Sequence, residues 1–324
     1  MGIPNLNKFF IDNCKKNSIQ KTHLSSLSGK VIAVDTSIYL YKFAADNTLI
    51  EHFYLMISIF RKYNIIPIFV FDGKPPKAKR ELLLKRRQQR KQSEEQYNKL
   101  KMEIDDLPYD SDERFEMQKE LELLKRESTS ISYDNLAVVK SIIKSYGVTY
   151  EQAEGEADIL CVQLVNSGKA WGCMSDDMDM FVYGCSRVFR HFSLVNHNVI
   201  FYNFSAILND LEMDIKTFRE IAVLSGTDYN FDNKTSLHET IQLYEKYKLF
   251  DNNKSMDFYK WIVQTTDYIN DYDTLVSIIS MFDIDKSNEN VHILKNINQV
   301  VLEEIDLVEL KKILVEDGFV FVNI

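Results

Sequence analysis

Three apolar runs in this 324-residue chain end in acid. Val31-Ile32-Ala33-Val34 is followed by Asp35, and Ile68-Phe69-Val70-Phe71 by Asp72. Trp171-Gly172-Cys173-Met174 leads through Ser175 into Asp176-Asp177-Met178-Asp179. Glu154 and Glu156 flank Gly155 just after an apolar segment near Tyr150, and Asp228 follows Leu224-Ser225-Gly226-Thr227. Taken singly, an Asp after a strand is a turn former or a helix N-cap. Taken together, the strand-end acids of a parallel sheet gather on its carboxyl edge, where α/β proteins bind ligands. Seven carboxylates meeting there (Asp35, Asp72, Glu154, Glu156, Asp177, Asp179 and Asp228) cannot all stay ionised without cations, because like charges raise one another's pKa. The set contains no histidine or cysteine, so oxygen-ligated Mg²⁺ or Mn²⁺ is expected over Zn²⁺. Two such ions about 4 Å apart suit in-line displacement at phosphorus, one activating water and the other stabilising the leaving oxygen.

The net charge of −9 argues weakly against a nucleic-acid partner, but it hides an asymmetry. Between Lys74 and Lys91 nine basic residues face one acid, Glu81, whereas from Glu94 to Glu127 twelve acids face six bases. A charge run alone reads as a solvated helix face. Directly after a strand ending in Asp72, it is what a polyanion-binding strip would look like. The acids and this strip together point to a metal-dependent phosphodiesterase. The four cysteines form no CxxC pair and the six histidines no HxxxH pair, which argues against a zinc ribbon, a disulfide scaffold or a haem site. The longest apolar runs are too short to span a bilayer, and the N-terminus has no signal-peptide core. Leu6 breaks the myristoylation pattern. These features lead us to expect a soluble intracellular protein with no membrane partner.

The elements that must position the acids are legible in outline. Buried strands are expected at Val31–Val34, Ile65–Phe71, Gly147–Tyr150, Ala170–Met174, Val188–Phe192 and Val199–Phe201. Helices are expected at Leu49–Tyr63, Asn135–Tyr146 and Gly155–Asn166. This alternation implies an α/β fold, a mostly parallel central sheet with helices on both faces. From about Lys77 to Ser132 there is no strand signal, so the segment reads as a helical insertion. After Asn203 the chain turns helical: Ser205–Glu212, Lys216–Ser225, Leu237–Tyr247, Ser255–Thr265 and Leu307–Leu314.

These motifs, in this order, resemble the structure-specific 5′ nucleases of the xeroderma-G-like superfamily, and among them the flap endonucleases most closely. The likeness runs from Met1 to about Tyr247. Met1-Gly2-Ile3 with Leu6 resembles the family's opening signature, and Lys30 to Tyr41 its first acidic motif. Val70-Phe71-Asp72-Gly73-Lys74-Pro75-Pro76 resembles the second almost letter for letter. Ala153-Glu154-Gly155-Glu156-Ala157-Asp158 resembles the internal glutamate pair. Ser175 to Asp179 resembles the aspartate pair, and Leu224 to Tyr229 the last aspartate. Each motif alone is modest; six in order are specific.

The resemblance implies a PIN-like nuclease core over 1–204, with the insertion at about 77–132 acting as a helical gateway and cap. It implies a helical C-terminal region over 205–324, with a helix–hairpin–helix-like DNA-binding segment at about 216–250. It implies two Mg²⁺ ions on the seven acids, with Mn²⁺ able to substitute. Asp35, Asp72, Glu154 and Asp177 are then catalytic, together with Lys79 and Arg86, which fall where the family's basic residues approach the scissile phosphate. Tyr41 falls where the family stacks an aromatic on a base, and Gly2 lies near the site if Met1 is removed. Lys74, Arg80, Lys85 and Arg87 complete a phosphate-contacting strip with Lys79 and Arg86. The implied substrate is branched, flapped or gapped DNA with a 5′ single-stranded end, cut as an endonuclease and a 5′–3′ exonuclease in replication, repair or recombination. The implied compartment is the nucleus or a cytoplasmic site of viral DNA replication, which sequence does not tell apart.

The chain departs from the pattern in the hairpin. Tyr229 to Ile241 contains no glycine, which weakens the expectation of the family's K⁺ site, although Asn230 and Asn233 could adopt the turn conformations; Lys234 and His238 remain candidate phosphate contacts. No basic tail or sliding-clamp peptide follows the helical region, so a clamp partner is not indicated and a monomer is expected. A compact, diverged member of the kind a large DNA virus carries would fit. Two alternatives stay open: an RNA-directed nuclease of the viral host-shutoff type on the same scaffold, and an inactive DNA-binding scaffold. Retention of all seven acids counts against the second.

Overall fold

The computed structural model describes residues 2–105, 111–230, 235–250, 256–266, 272–284, 289–297 and 300–321. Seven strands form one sheet: β1 (Ile19–His23), β2 (Val31–Asp35), β3 (Ile66–Phe71), β4 (Thr149–Gln152), β5 (Gly172–Met174), β6 (Arg187–Ser193) and β7 (Asn198–Asn203). Their spatial order is β1-β7-β6-β5-β2-β3-β4. The run from β6 to β4 is parallel throughout, and β7 and β1 add antiparallel pairs at one side. From β2 the chain goes to β3 on one side, and β5 pairs on the other. This is the switch point where the carboxyl ends of open α/β sheets leave a crevice.

The helices before the insertion are α1 (Leu6–Asn13), α2 (Thr36–Ala45) and α3 (Leu49–Lys62). The insertion itself forms α4 (Arg80–Asp105) and α5 (Asp112–Ser128), and α6 (Tyr133–Ser145), α7 (Ala157–Asn166) and α8 (Asp179–Val182) follow. Beyond the sheet come α9 (Phe204–Asp210), α10 (Ile215–Leu224), α11 (Leu237–Lys248), α12 (Phe258–Thr265), α13 (Tyr272–Met281), α14 (Val291–Asn296) and α15 (Leu307–Glu316). Among the described residues no helix is long and apolar enough to cross a membrane.

Strand periodicity decides which helices cover which face. Ile32, Val34, Phe69 and Phe71 point to one side and pack with α2, α3, α6 and α15. Ala33, Ile68 and Val70 point to the other and pack with α1, α7 and α10. Because both faces are covered, β2 and β3 are apolar at consecutive positions rather than alternating. Burying a side chain the size of Phe69 stabilises the fold by about 2–3 kcal/mol. The last described stretch returns to this core: Asp306 N–H donates to Ser145 O at 2.7 Å, and Glu303 N–H to Gly147 O at 2.9 Å.

Several boundaries differ from the sequence expectation for identifiable reasons. The strand expected from Gly147 begins at Thr149, because Gly147 (φ +62°) closes α6 in a left-handed turn. The helix expected from Gly155 begins at Ala157, whose N–H is taken by Asp72. Edge strand β1 has a polar sequence, pairs only with β7 among the described residues and gives no apolar run. In the insertion, α4 and α5 pack against each other, with Ser93 Oγ donating to Glu127 Oε2 at 2.9 Å. Ser255, Asn233 and Lys234 lie outside the described residues. At the start of the glycine-free hairpin, Asn230 is not left-handed. Gly226 takes that conformation (φ +100°), and Asn230 Nδ2 donates to Val223 O at 2.9 Å.

The Glu220 side chain on α10 is buried, 3.7 Å from Lys216 Nζ. Burial pushes its carboxyl up to about 7 from an ordinary 4.5. Between those two values the folded chain keeps a proton that the unfolded chain releases. Stability is therefore greatest below the window and falls as pH rises through it, by up to about 3 kcal/mol. Glu220→Gln is expected to flatten the fall in melting temperature between pH 5 and 8; a slope equal to that of the parent would refute this.

Candidate active site at the carboxyl edge of the sheet

The strand-end acids do meet. Asp35 is 4% exposed and directly precedes α2, yet its carboxylate makes no capping bond to that helix. It accepts instead from Ser175 Oγ at 2.9 Å, and the same Ser175 Oγ accepts the Asp177 N–H at 3.1 Å. Asp177 Oδ1 in turn accepts the Asp179 N–H at 3.0 Å. One serine and one aspartate turn thus tie the end of β2 to the loop after β5. Asp72, just past β3, accepts from Ser37 Oγ and from the Ala157 N–H at 2.8 Å. The loop after β3 is clipped to the glutamate loop by Gly73 N–H donating to Gly155 O at 2.6 Å and Lys74 N–H to Glu154 O at 3.0 Å. A Cβ on Gly73 would run into Ala153 O and Glu154 O, so this close approach requires glycine. Gly2 lies beside the aspartate turn: a Cβ there would sit 2.7 Å from Asp177 Oδ1 and 2.8 Å from Asp179 Oδ1.

A second grouping centres on Lys79, which occupies a short turn before α4 rather than the helix itself. Its ammonium is buried, 2.6 Å from Glu156 Oε1 and 3.2 Å from Asp228 Oδ2, and lies 4.9 Å over the Tyr229 ring. Arg86 Nη2 donates to Asp228 Oδ1 at 2.8 Å. Glu156 Oε2 also accepts from Tyr229 OH at 2.8 Å and Tyr183 OH at 3.3 Å. Glu154 stands apart from these: its Oε1 is 2.7 Å from His292 Nδ1. Asp176 serves the backbone, accepting the His191 N–H at 2.7 Å. Tyr41 is exposed on α2. Lys74, Arg80, Lys85 and Arg87 are exposed along the start of the insertion.

The electrostatics are those of crowded carboxylates. Burial, then Asp72 and Asp177, push the Asp35 carboxyl up to about 7. Burial, then Asp177 and Asp228, hold Asp179 well above the carboxylate range. Burial alone would lower the Lys79 pKa, but Glu156 and Asp228 outweigh it and hold the ammonium above its ordinary value. Among the described residues no three carboxylates, imidazoles or thiols form a finished metal cage; Lys79 and His292 engage three of the acids. The donor set nonetheless fits a hard cation. It is all oxygen, and the buried Asp179 Oδ1 has no hydrogen-bond partner. An orphaned buried carboxylate oxygen is costly unless a cation or water meets it.

Sequence reasoning missed several members. Asp158 lies on the first turn of α7, and its carboxyl is held well above the ordinary range by burial and by Asp35 and Asp177. It lies inside the glutamate motif, so its signal was available. Ser37 likewise lies inside the first acidic motif, whereas Tyr183, Asn290 and His292 carry no such signal, because tertiary packing alone brings them in.

Comparisons with known proteins bear on the family and the fold. The XPG N-terminal domain model matches residues 1–93 and the XPG I-region model residues 147–228, together more than half the chain. Flap endonuclease 1 of Cryptosporidium muris is 28% identical over 259 residues, which is 71% of this chain and 52% of that protein. The Leishmania major protein of the same name is 28% identical over 255 residues, 71% of this chain and 60% of its own. The chain thus spans little more than half the length of these relatives. Among solved structures, the catalytic core of Rad2 in complex with DNA substrate aligns with a TM-score of 0.67 at 22% identity, covering 98% of this chain and 95% of that one. Flap endonuclease-1 from Methanococcus jannaschii aligns with a TM-score of 0.57 at 18% identity, covering 93% and 91%. The shared fold is the PIN-like core expected from the motifs.

Proposed function

The chain belongs to the flap endonuclease/XPG family, and on that premise we propose that it is a Mg²⁺-dependent, structure-specific 5′ nuclease. It hydrolyses phosphodiester bonds in branched, flapped or gapped DNA, as a flap endonuclease and 5′–3′ exonuclease, inside the cell and as a monomer. Residues 1–204 form the nuclease core, with the gateway and cap at 77–132; residues 205–324 form a helical region with a DNA-gripping segment at about 216–250. One observation carries this reading: acids from three parallel strand ends converge at the sheet's switch point, beside a buried lysine and an unpaired buried carboxylate oxygen.

Asp35, Asp72, Glu154, Glu156, Asp177, Asp179 and Asp228 would hold two divalent ions. When bound, such ions supply an activated water and stabilise the leaving oxygen. The chain's own contribution is placement. Ser175 fixes Asp35 against the Asp177 turn, and Ser37 fixes Asp72. Lys79 and Arg86 bring fixed positive charge to the edge of the acids, where a phosphodiester gathers negative charge as it is cut. Tyr41 offers an exposed ring for a base to stack on. Lys74, Arg80, Lys85 and Arg87 offer backbone contacts without sequence readout. The similar Rad2 core was solved in complex with DNA substrate, which favours DNA over RNA.

The test is a double-flap duplex labelled at its 5′ end, run beside capped RNA in Mg²⁺ and in chelator. Cleavage of the flap near its junction, in Mg²⁺ only, is expected. Faster cleavage of the RNA would move the assignment to the host-shutoff class. Replacing exposed Arg80 and Arg87 with Gln is expected to weaken flap binding at low salt and to reduce the slope of log affinity against log salt by about one for each phosphate no longer neutralised. An unchanged slope would remove both residues from the interface.

A further inference from the structure

The helices beyond the sheet send one short segment back to the site. Asn290 is fully buried and sits in the left-handed region (φ +63°) immediately before α14. Its Oδ1 accepts the Glu154 N–H at 2.9 Å, and its Nδ2 donates to Gln163 Oε1 on α7 at 3.0 Å. Gln163 Nε2 donates back to Glu289 O at 3.1 Å. Two residues after Asn290, His292 Nδ1 lies 2.7 Å from Glu154 Oε1. The segment thus holds Glu154 twice, by its backbone and by one carboxylate oxygen. The packing is close enough that a Cβ on Gly155 would collide with the Glu289 carboxylate. Gln163, Glu289, Asn290 and His292 all lie outside the sequence motifs of the site.

We propose that Asn290 and His292 are positioning residues that aim the Glu154 carboxylate, leaving Oε2 free for a divalent ion. This rests on the reading of Glu154 as a metal ligand. Ligating carboxylates are themselves hydrogen-bonded, and loss of such an outer partner weakens metal binding about tenfold or more. The pair itself is largely exposed, with His292 at 67%, so it adds little to folding stability. Its effect falls on the direction of the carboxylate.

The experiment titrates Mn²⁺ into the full chain without DNA and follows thermal melting. His292→Ala is expected to raise the half-saturating Mn²⁺ concentration about tenfold, with the melting temperature in chelator unchanged. His292→Gln keeps an N–H donor and is expected to titrate near the parent. Asn290→Ala should show the same weakening; if it does not fold, His292 decides. Glu154→Gln is the reference. If it weakens Mn²⁺ binding while His292→Ala does not, the positioning role is wrong and the metal reading stands. If Glu154→Gln itself changes nothing, both are wrong.

Discussion

Asp177→Asn is expected to cut 5′-flap cleavage by at least about a thousandfold while leaving the fold intact. The substitution keeps Oδ1, which accepts the Asp179 N–H at 3.0 Å, so the turn after β5 survives. What it removes is a charge that raises the carboxyls of Asp35, Asp158 and Asp179. In chelator the variant should melt no lower than the parent, because a like-charge repulsion is gone. In Mg²⁺ it should lose its activity, because metal stabilisation of a transition state is worth several kcal/mol and each 1.36 kcal/mol is tenfold in rate. Single-turnover cleavage separates this from slow product release. Turnover within about tenfold of the parent would remove Asp177 from the catalytic set.

Lys79→Met carries the second large effect, and it appears first in stability. Lys79 is buried and bridges Glu156 and Asp228, whose side chains are only 14% and 16% exposed. Removing one partner of a buried ionic cluster leaves its charges uncompensated, at a cost of about 3 kcal/mol. Arg86 still reaches Asp228, so Glu156 is the group left exposed to that cost. In chelator the melting temperature should fall by several degrees, and Mn²⁺ should recover part of the loss by binding the released carboxylates. Cleavage should also drop, because the buried positive charge beside the acids is gone. A variant that melts with the parent in chelator would show that the bridge contributes nothing to the fold.

How much of this was legible depends on where each signal lies. The strands β2 and β3 announce themselves because both faces are buried, which turns Val31–Val34 and Ile66–Phe71 into continuous apolar runs. Their terminal acids follow directly. The polar strand β1 and the helices α1, α2, α13 and α14 gave no comparable pattern; their place is fixed by what they pack on. The basic strip reads from sequence as one run, yet Lys79 lies in the turn before α4 and Arg86 on the helix itself. Sequence also treated the seven acids as one crowd. The structure resolves a relay from Asp35 through Ser175 to Asp177 and Asp179, a lysine-bridged pair, and a glutamate held by His292. The turn from Ser175 to Asp179 is local, but Asp35–Ser175, Lys79–Glu156 and His292–Glu154 join distant parts of the chain, so only the folded chain reveals them.

The most direct measurement is a crystal of the chain soaked in Mn²⁺, with anomalous scattering recorded at the manganese edge. Two peaks among Asp35, Asp72, Asp177, Asp179 and their neighbours are expected, one of them in contact with Asp179 Oδ1. Crystals that bind no manganese there, or that keep Lys79 on Glu156 and Asp228 with the peaks elsewhere, would contradict the metal-dependent hydrolysis proposed for this site.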